Sequence, residues 1–130
     1  MGDRVTMMMS TVASALNLVR EGKMRALAVS SSKRVSAIPD IPTIAESGVP
    51  GFELVAWESI QAPAGIPPDI VTRLNTAIRE VLATPELRQK LINLGIEPES
   101  TKGPAEVAKF IRSEAEKFGK VIRERHIRTE

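Results

Sequence analysis

The chain has 130 residues, 42% of them hydrophobic and 26% charged, and its 18 Lys+Arg against 16 Asp+Glu leave a net charge of +2. This is the composition of a folding globular chain, and basic residues scattered among acidic ones, with three Phe, one Trp and no Tyr, give neither a basic stripe nor a stacking platform for nucleic acid. The absence of cysteine excludes disulfides, thiolate zinc sites and cysteine nucleophiles.

In chain order, the opening MGDRVTMMMS carries Asp3 and only a short apolar run, so it reads as neither an export signal nor a membrane span, which needs roughly 20 apolar residues. Residues Val5 to Met9 read as a buried strand ending at Ser10 or Thr11. Val12, Ala15, Leu16 and Val19 then recur at helical spacing, with Ser10 or Thr11 as N-cap and Gly22 as the stop. Residues 24 to 32, MRALAVSSS, are apolar on both faces after Arg25, as in a covered parallel strand. The first third therefore reads as a βαβ unit.

The stretch IPDIPTIAESGVPGFELVAW follows, with Pro39, Pro42, Pro50, Gly48 and Gly51. Here Pro42 is expected at the first position of a short helix, TIAES, ended by Gly48, and the run to Gln61 is expected to be extended. Residues 67 to 83 hold Ile70, Val71, Leu74, Ala77, Ile78 and Val81 on one helical face. A further helix is predicted from Pro85 to Leu94, capped by Thr84 and ended by Gly95, and a last one from about 104 to 123.

Few residues offer chemistry. The only histidine, His126, lies in a charged tail without a convergent partner, and no nucleophile elbow or phosphate loop occurs. The Met7-Met8-Met9 run reads as core, since no second soft-ligand cluster accompanies it; no metal or cofactor is expected. Glu46, Glu53, Glu58, Glu80, Glu86, Glu114 and Glu116 mostly read as solvated partners of Lys or Arg, as in Glu86 with Lys90 and Glu116 with Lys120. Glu58 stands apart beside Trp57 in an apolar run, where it either lines a site or occupies a strand's outward face. Ser10 and Thr11 admit two readings, an anion-facing turn or simple capping.

Residues 22 to 75, GKMRALAVSSSKRVSAIPDIPTIAESGVPGFELVAWESIQAPAGIPPDIVTRLN, resemble the Bug-type solute receptors of tripartite tricarboxylate transporters. The words carrying the resemblance are G-K-x-R-A-L-A-V-S, the Lys33-Arg34 pair, P-D-I-P-T-x-x-E-x-G-x-P-G-F, the tryptophan, A-P-A-G-x-P, and Ala83 to Pro98. The resemblance implies an α/β fold, partial type II periplasmic binding protein, with parts of two lobes and a helix-rich carboxyl-terminal half. It implies a second-lobe portion at 1–37, a Pro/Gly-rich connection and interlobe crossover at 38–62, and a helical first-lobe portion at 63–130. Such receptors are not enzymes; they hold a small carboxylate through backbone N–H groups and small polar side chains, without metal or cofactor, for the membrane components of the transporter.

The resemblance places Ser10 and Thr11 at a ligand-facing turn and Trp57 either bordering the cleft or packed behind it; with Glu58, singled out by its own setting, these are the expected ligand-binding positions, although Thr6 stands where relatives often have Asp. The location implied is periplasmic, although the chain shows no signal peptide. It reads as a truncated receptor, which is expected to form a homo-oligomer or exchange strands in isolation. The alternative is an oligomeric interaction or sensory module derived from such a receptor.

Overall fold

A computed structural model describes residues 6–99 and 102–128. It contains four helices in these residues: α1 (Val12–Arg20), α2 (Pro68–Ala83), α3 (Pro85–Asn93) and α4 (Pro104–Glu124). The chain divides into two compact units, one of Met1–Ala62 with Ala83–Pro98 and the other of Pro63–Leu82 with Glu99–Glu130. Consequently α1 and α3 belong to the first unit, α2 and α4 to the second.

In the first unit, α1 starts where expected. Thr11 is extended, with φ −65° and ψ 148°, and its hydroxyl accepts the Ser14 N–H at 3.3 Å. The helix ends in a Schellman arrangement, the Lys23 N–H reaching the Leu18 carbonyl at 2.8 Å around Gly22, whose φ is +68°. The α3 helix closes the same way at Gly95, with the Ile96 N–H on the Leu91 carbonyl at 3.0 Å. Its N-cap is Thr84, with Pro85 at the start, but no hydroxyl cap forms.

The expected strands are only partly realised. Of the reading at 5–9, Val5 lies outside the described residues, and residues 6–9 form no ladder. Within 24–32, pairing is confined to one parallel bridge between Val29 and Thr43. There the Val29 N–H meets the Pro42 carbonyl and the Ile44 N–H meets the Val29 carbonyl, each at 2.9 Å. On the neighbouring residue, the Ser30 carbonyl accepts the Leu54 N–H at 2.9 Å. Successive residues of an extended chain aim their backbone groups at opposite edges, so Val29–Ser30 forms the centre of a rudimentary sheet. Apolar patterning sets which residues favour extension, but a ladder also needs partner backbone alongside, and here each edge has a single step.

The small core of this unit gathers around that crossing. Leu16, Val29 and Val35 are buried, and Thr43 is only 2% exposed. The expected one- or two-turn TIAES helix is realised as a single hydrogen-bonded turn. Thr43 rather than Pro42 starts it: its hydroxyl accepts the Glu46 N–H at 3.0 Å while the Glu46 carboxylate accepts the Thr43 N–H at 2.7 Å. This reciprocal capping box satisfies both amides within four residues, and Gly48 ends the turn before a helix can propagate.

In the second unit, α2 and α4 match their expected spans to within a residue. Pro104 begins α4, whose Glu106 carboxylate accepts the preceding Gly103 N–H at 3.0 Å. At its far end His126 adopts φ +52°, and the Ile127 N–H reaches the Ile122 carbonyl at 3.1 Å. The lone histidine thus serves as a helix terminator.

The solvated reading of the carboxylates holds for Glu86, which pairs with Lys90 at 2.8 Å. Lys120 instead lies 3.9 Å from Glu124. Glu114 departs from the reading altogether: it is buried on α4, where Lys117 pairs with it from the next turn.

Candidate ligand-binding site

Thr11 is fixed by its cap. Its hydroxyl lies 2.8 Å from the Ser14 hydroxyl as well as accepting the Ser14 amide, and its carbonyl accepts the Ser14 and Ala15 N–H groups at 3.2 Å each. Ser10 stands one residue outside the helix and is exposed. The first turn of a helix directs its amides outward along the axis, with a partial positive charge suited to an anion.

One flank of this turn is set by Gly95. A Cβ there would stand 2.8 Å from Val12 Cγ1 and 3.0 Å from the Ala13 nitrogen, and the glycine φ is +78°. Both the left-handed backbone and the close approach require glycine. The end of α3 therefore packs directly against the first residues of α1.

Trp57 and Glu58 lie on the run after Leu54, in the same unit as Ser10 and Thr11. Trp57 is 38% exposed and Glu58 is exposed. Two sequence-adjacent pairs thus come from different segments, one at the head of α1 and one on the run anchored to Ser30.

Sequence reasoning missed a third group. Arg34 shares its Nε–H between both oxygens of Glu46, at 3.2 and 3.1 Å, and donates from a terminal nitrogen to the Pro39 carbonyl at 3.2 Å. The Thr43 amide and the Arg34 guanidinium hold the Glu46 carboxyl below its ordinary range. The word T-I-A-E carried the signal for the Thr43–Glu46 box, since Ser/Thr followed three residues later by Glu is the capping-box pattern, but not for Arg34. Nearby, Glu97 accepts the Ser36 N–H at 2.7 Å and ties residues 34–36 to the loop after α3. Among the described residues no group of three or more acidic or histidine side chains could hold a metal. Among the same residues no helix is long and apolar enough to cross a membrane.

Solved structures similar to this chain define its fold class. The R. palustris protein Rpa4515, solved with adipate, is similar with a TM-score of 0.75 and 35% identity, over 86% of this chain and 37% of that one. The periplasmic binding protein BugD is similar with a TM-score of 0.76 and 28% identity, over 89% of this chain and 39% of that one. The fold is therefore part of an α/β periplasmic-binding-protein fold.

Residues 1–127 match the tripartite tricarboxylate transporter family receptor, and the chain belongs to that family. A UPF0065 protein from the tcbD-tcbE intergenic region of Pseudomonas sp. (strain P51) is 38% identical over 120 residues, 92% of this chain. The chain spans 35% of that relative's length. The family and these solved neighbours are binding receptors, not enzymes.

Proposed function

We propose that the chain is part of an extracytoplasmic solute-binding protein that presents a small carboxylate to the membrane components of a tripartite tricarboxylate transporter. The observation supporting this most strongly is the match to the receptor family over residues 1–127, joined to 35% identity with a protein solved with adipate. A periplasmic location follows from the same likeness.

In this reading a ligand carboxylate faces the Ser10–Thr11 turn, where the amides opening α1 favour negative charge. Trp57 and Glu58 border the site from the crossover run. Residues 1–37 supply part of one lobe, 38–62 the connection, and 63–130 part of the other. The chain carries only some of the donors of a two-lobed clamp, so binding is weak.

Thermal unfolding with mono-, di- and tricarboxylates at millimolar concentration tests this. A ligand binding only the native state adds about 1.4 kcal/mol at tenfold excess over its Kd. A saturable rise in Tm with adipate or another carboxylate supports the reading; an unchanged Tm across the panel contradicts it.

A second reading, an oligomeric interaction module, is favoured by exposed apolar side chains outside the helices. Met7 is 73% exposed and Ile60 79%. Self-association without any carboxylate response would select it.

A further inference from the structure

We propose that Arg34 and Glu46 are positioning residues for the Trp57 run, acting through the rudimentary sheet at Val29. The inference rests on the reading of Trp57 as a ligand-facing residue only for its consequence in binding, not for the coupling itself.

The linkage can be followed bond by bond. Glu46 closes the 43–47 turn through the Thr43 amide, and Arg34 grips the same carboxylate while holding the Pro39 carbonyl. Arg34 thereby closes the Pro-rich loop from residue 34 to 46. The turn it fixes begins at Thr43, the residue bridged to Val29. Both backbone bonds of Val29 lie on this side: its N–H donates to the Pro42 carbonyl and its carbonyl accepts the Ile44 N–H. The next residue, Ser30, offers its carbonyl on the opposite edge to Leu54, three positions before Trp57.

The backbone links in that series are few, two bonds at Val29 and one at Ser30. A longer ladder would hold its register through many bonds, so loss of one turn would matter little. Here the 42–44 segment supplies the inner edge, and its geometry is fixed by a side-chain pair. The pair is half exposed and adds little through simple Coulomb attraction. Its contribution is geometric: a guanidinium donates in two directions at once, to a carboxylate and to a carbonyl. Lysine keeps the charge but lacks the planar fork needed for both.

The experiment uses the chain's only tryptophan as the reporter. Trp57 fluorescence and acrylamide quenching are measured in the 130-residue chain and in Arg34→Lys, Arg34→Ala, Glu46→Gln and the Arg34→Ala/Glu46→Gln double variant. Helical circular dichroism provides the control, because the four helices contain neither residue.

With helix content retained, the single variants are expected to show red-shifted emission. Because Trp57 is 38% exposed, quenching rises by up to roughly 2.5-fold as cover is lost. Arg34→Lys behaves like Arg34→Ala, and the double variant changes no more than the larger single one, as for groups acting as a unit. Emission and quenching unchanged in Arg34→Lys and Glu46→Gln overturn the proposal, as does a lysine variant matching wild type. If Arg34→Ala loses helix, Arg34→Lys and Glu46→Gln give the decision; loss of helix in all of them assigns the pair to global folding and also overturns it. Adipate titration of the same proteins is read separately: a wild type that fails to bind removes the ligand reading, while the fluorescence result still decides the coupling.

Discussion

A Cβ placed on Gly95 would lie 2.8 Å from Cγ1 of Val12, within a distance that side chains do not tolerate. The glycine that ends α3 is thus also the surface against which α1 begins, and it links a helix-stop signal to the proposed anion-facing turn.

That relationship makes glycine 95 unlike glycine 22, which has positive φ but nothing within 4 Å of an added Cβ. Gly22→Ala should lose about 1 kcal/mol, the cost of left-handed backbone alone. Gly95→Ala should lose more, about 2 to 3 kcal/mol, because overpacking adds to the backbone strain. Urea denaturation of both variants checks the difference, and equal losses would remove the close approach as a cause.

Thr11 caps α1 through its hydroxyl. Thr11→Ala is expected to destabilise the chain by about 1 kcal/mol, whereas Thr11→Ser keeps the acceptor and loses only a few tenths. Denaturation followed by helical circular dichroism distinguishes them. A destabilisation shared equally by the two variants would show that methyl packing, rather than the cap, is the contribution.

The Glu46 carboxyl is held below its ordinary pKa by the Thr43 amide and then by Arg34. A depressed folded pKa means that ionised Glu46 contributes stability above the unfolded value, near 4.5, and loses it as pH falls through the folded value. Wild type and Glu46→Gln should therefore differ most at neutral pH and converge in acid below 4.5. Stability measured from pH 7 down to 3 tests this; a gap that widens in acid reverses the assigned sign.

Exposed apolar side chains outside the helices predict self-association. Met7, Met8 and Met9 are exposed, as are Leu27 and Ile60. Light scattering of the 130-residue chain at micromolar concentration should give a species larger than a monomer, and Met8→Lys with Ile60→Lys should shift it toward monomer. A monodisperse wild-type monomer contradicts this expectation.

The helices were legible because their signals are local. Pro85 and Pro104 mark starts, Gly22 and Gly95 mark stops, and the 3.6-residue periodicity of residues 67–83 sufficed for α2. The strands were legible only as extended segments, because a strand also depends on backbone from elsewhere, and the pairing available reduces to the steps around Val29. At the candidate site, the Thr11 cap could be read from a hydroxyl before a periodic helix. The Arg34–Glu46 contact could not, since it spans 12 residues across turns whose path no periodicity defines. Likewise Gly95 announced a helix end, but not that Val12 would pack against it.

The proposed carboxylate site lies at the head of α1, beside the run through Trp57. The most direct test is an amide NMR titration of the isotope-labelled 130-residue chain with adipate, with sodium chloride matched for ionic strength. Saturable shifts are expected at the Ser10 to Ala13 amides and at the Trp57 indole N–H. Shifts absent at millimolar adipate, or confined to the basic positions of the carboxyl-terminal tail, would contradict it.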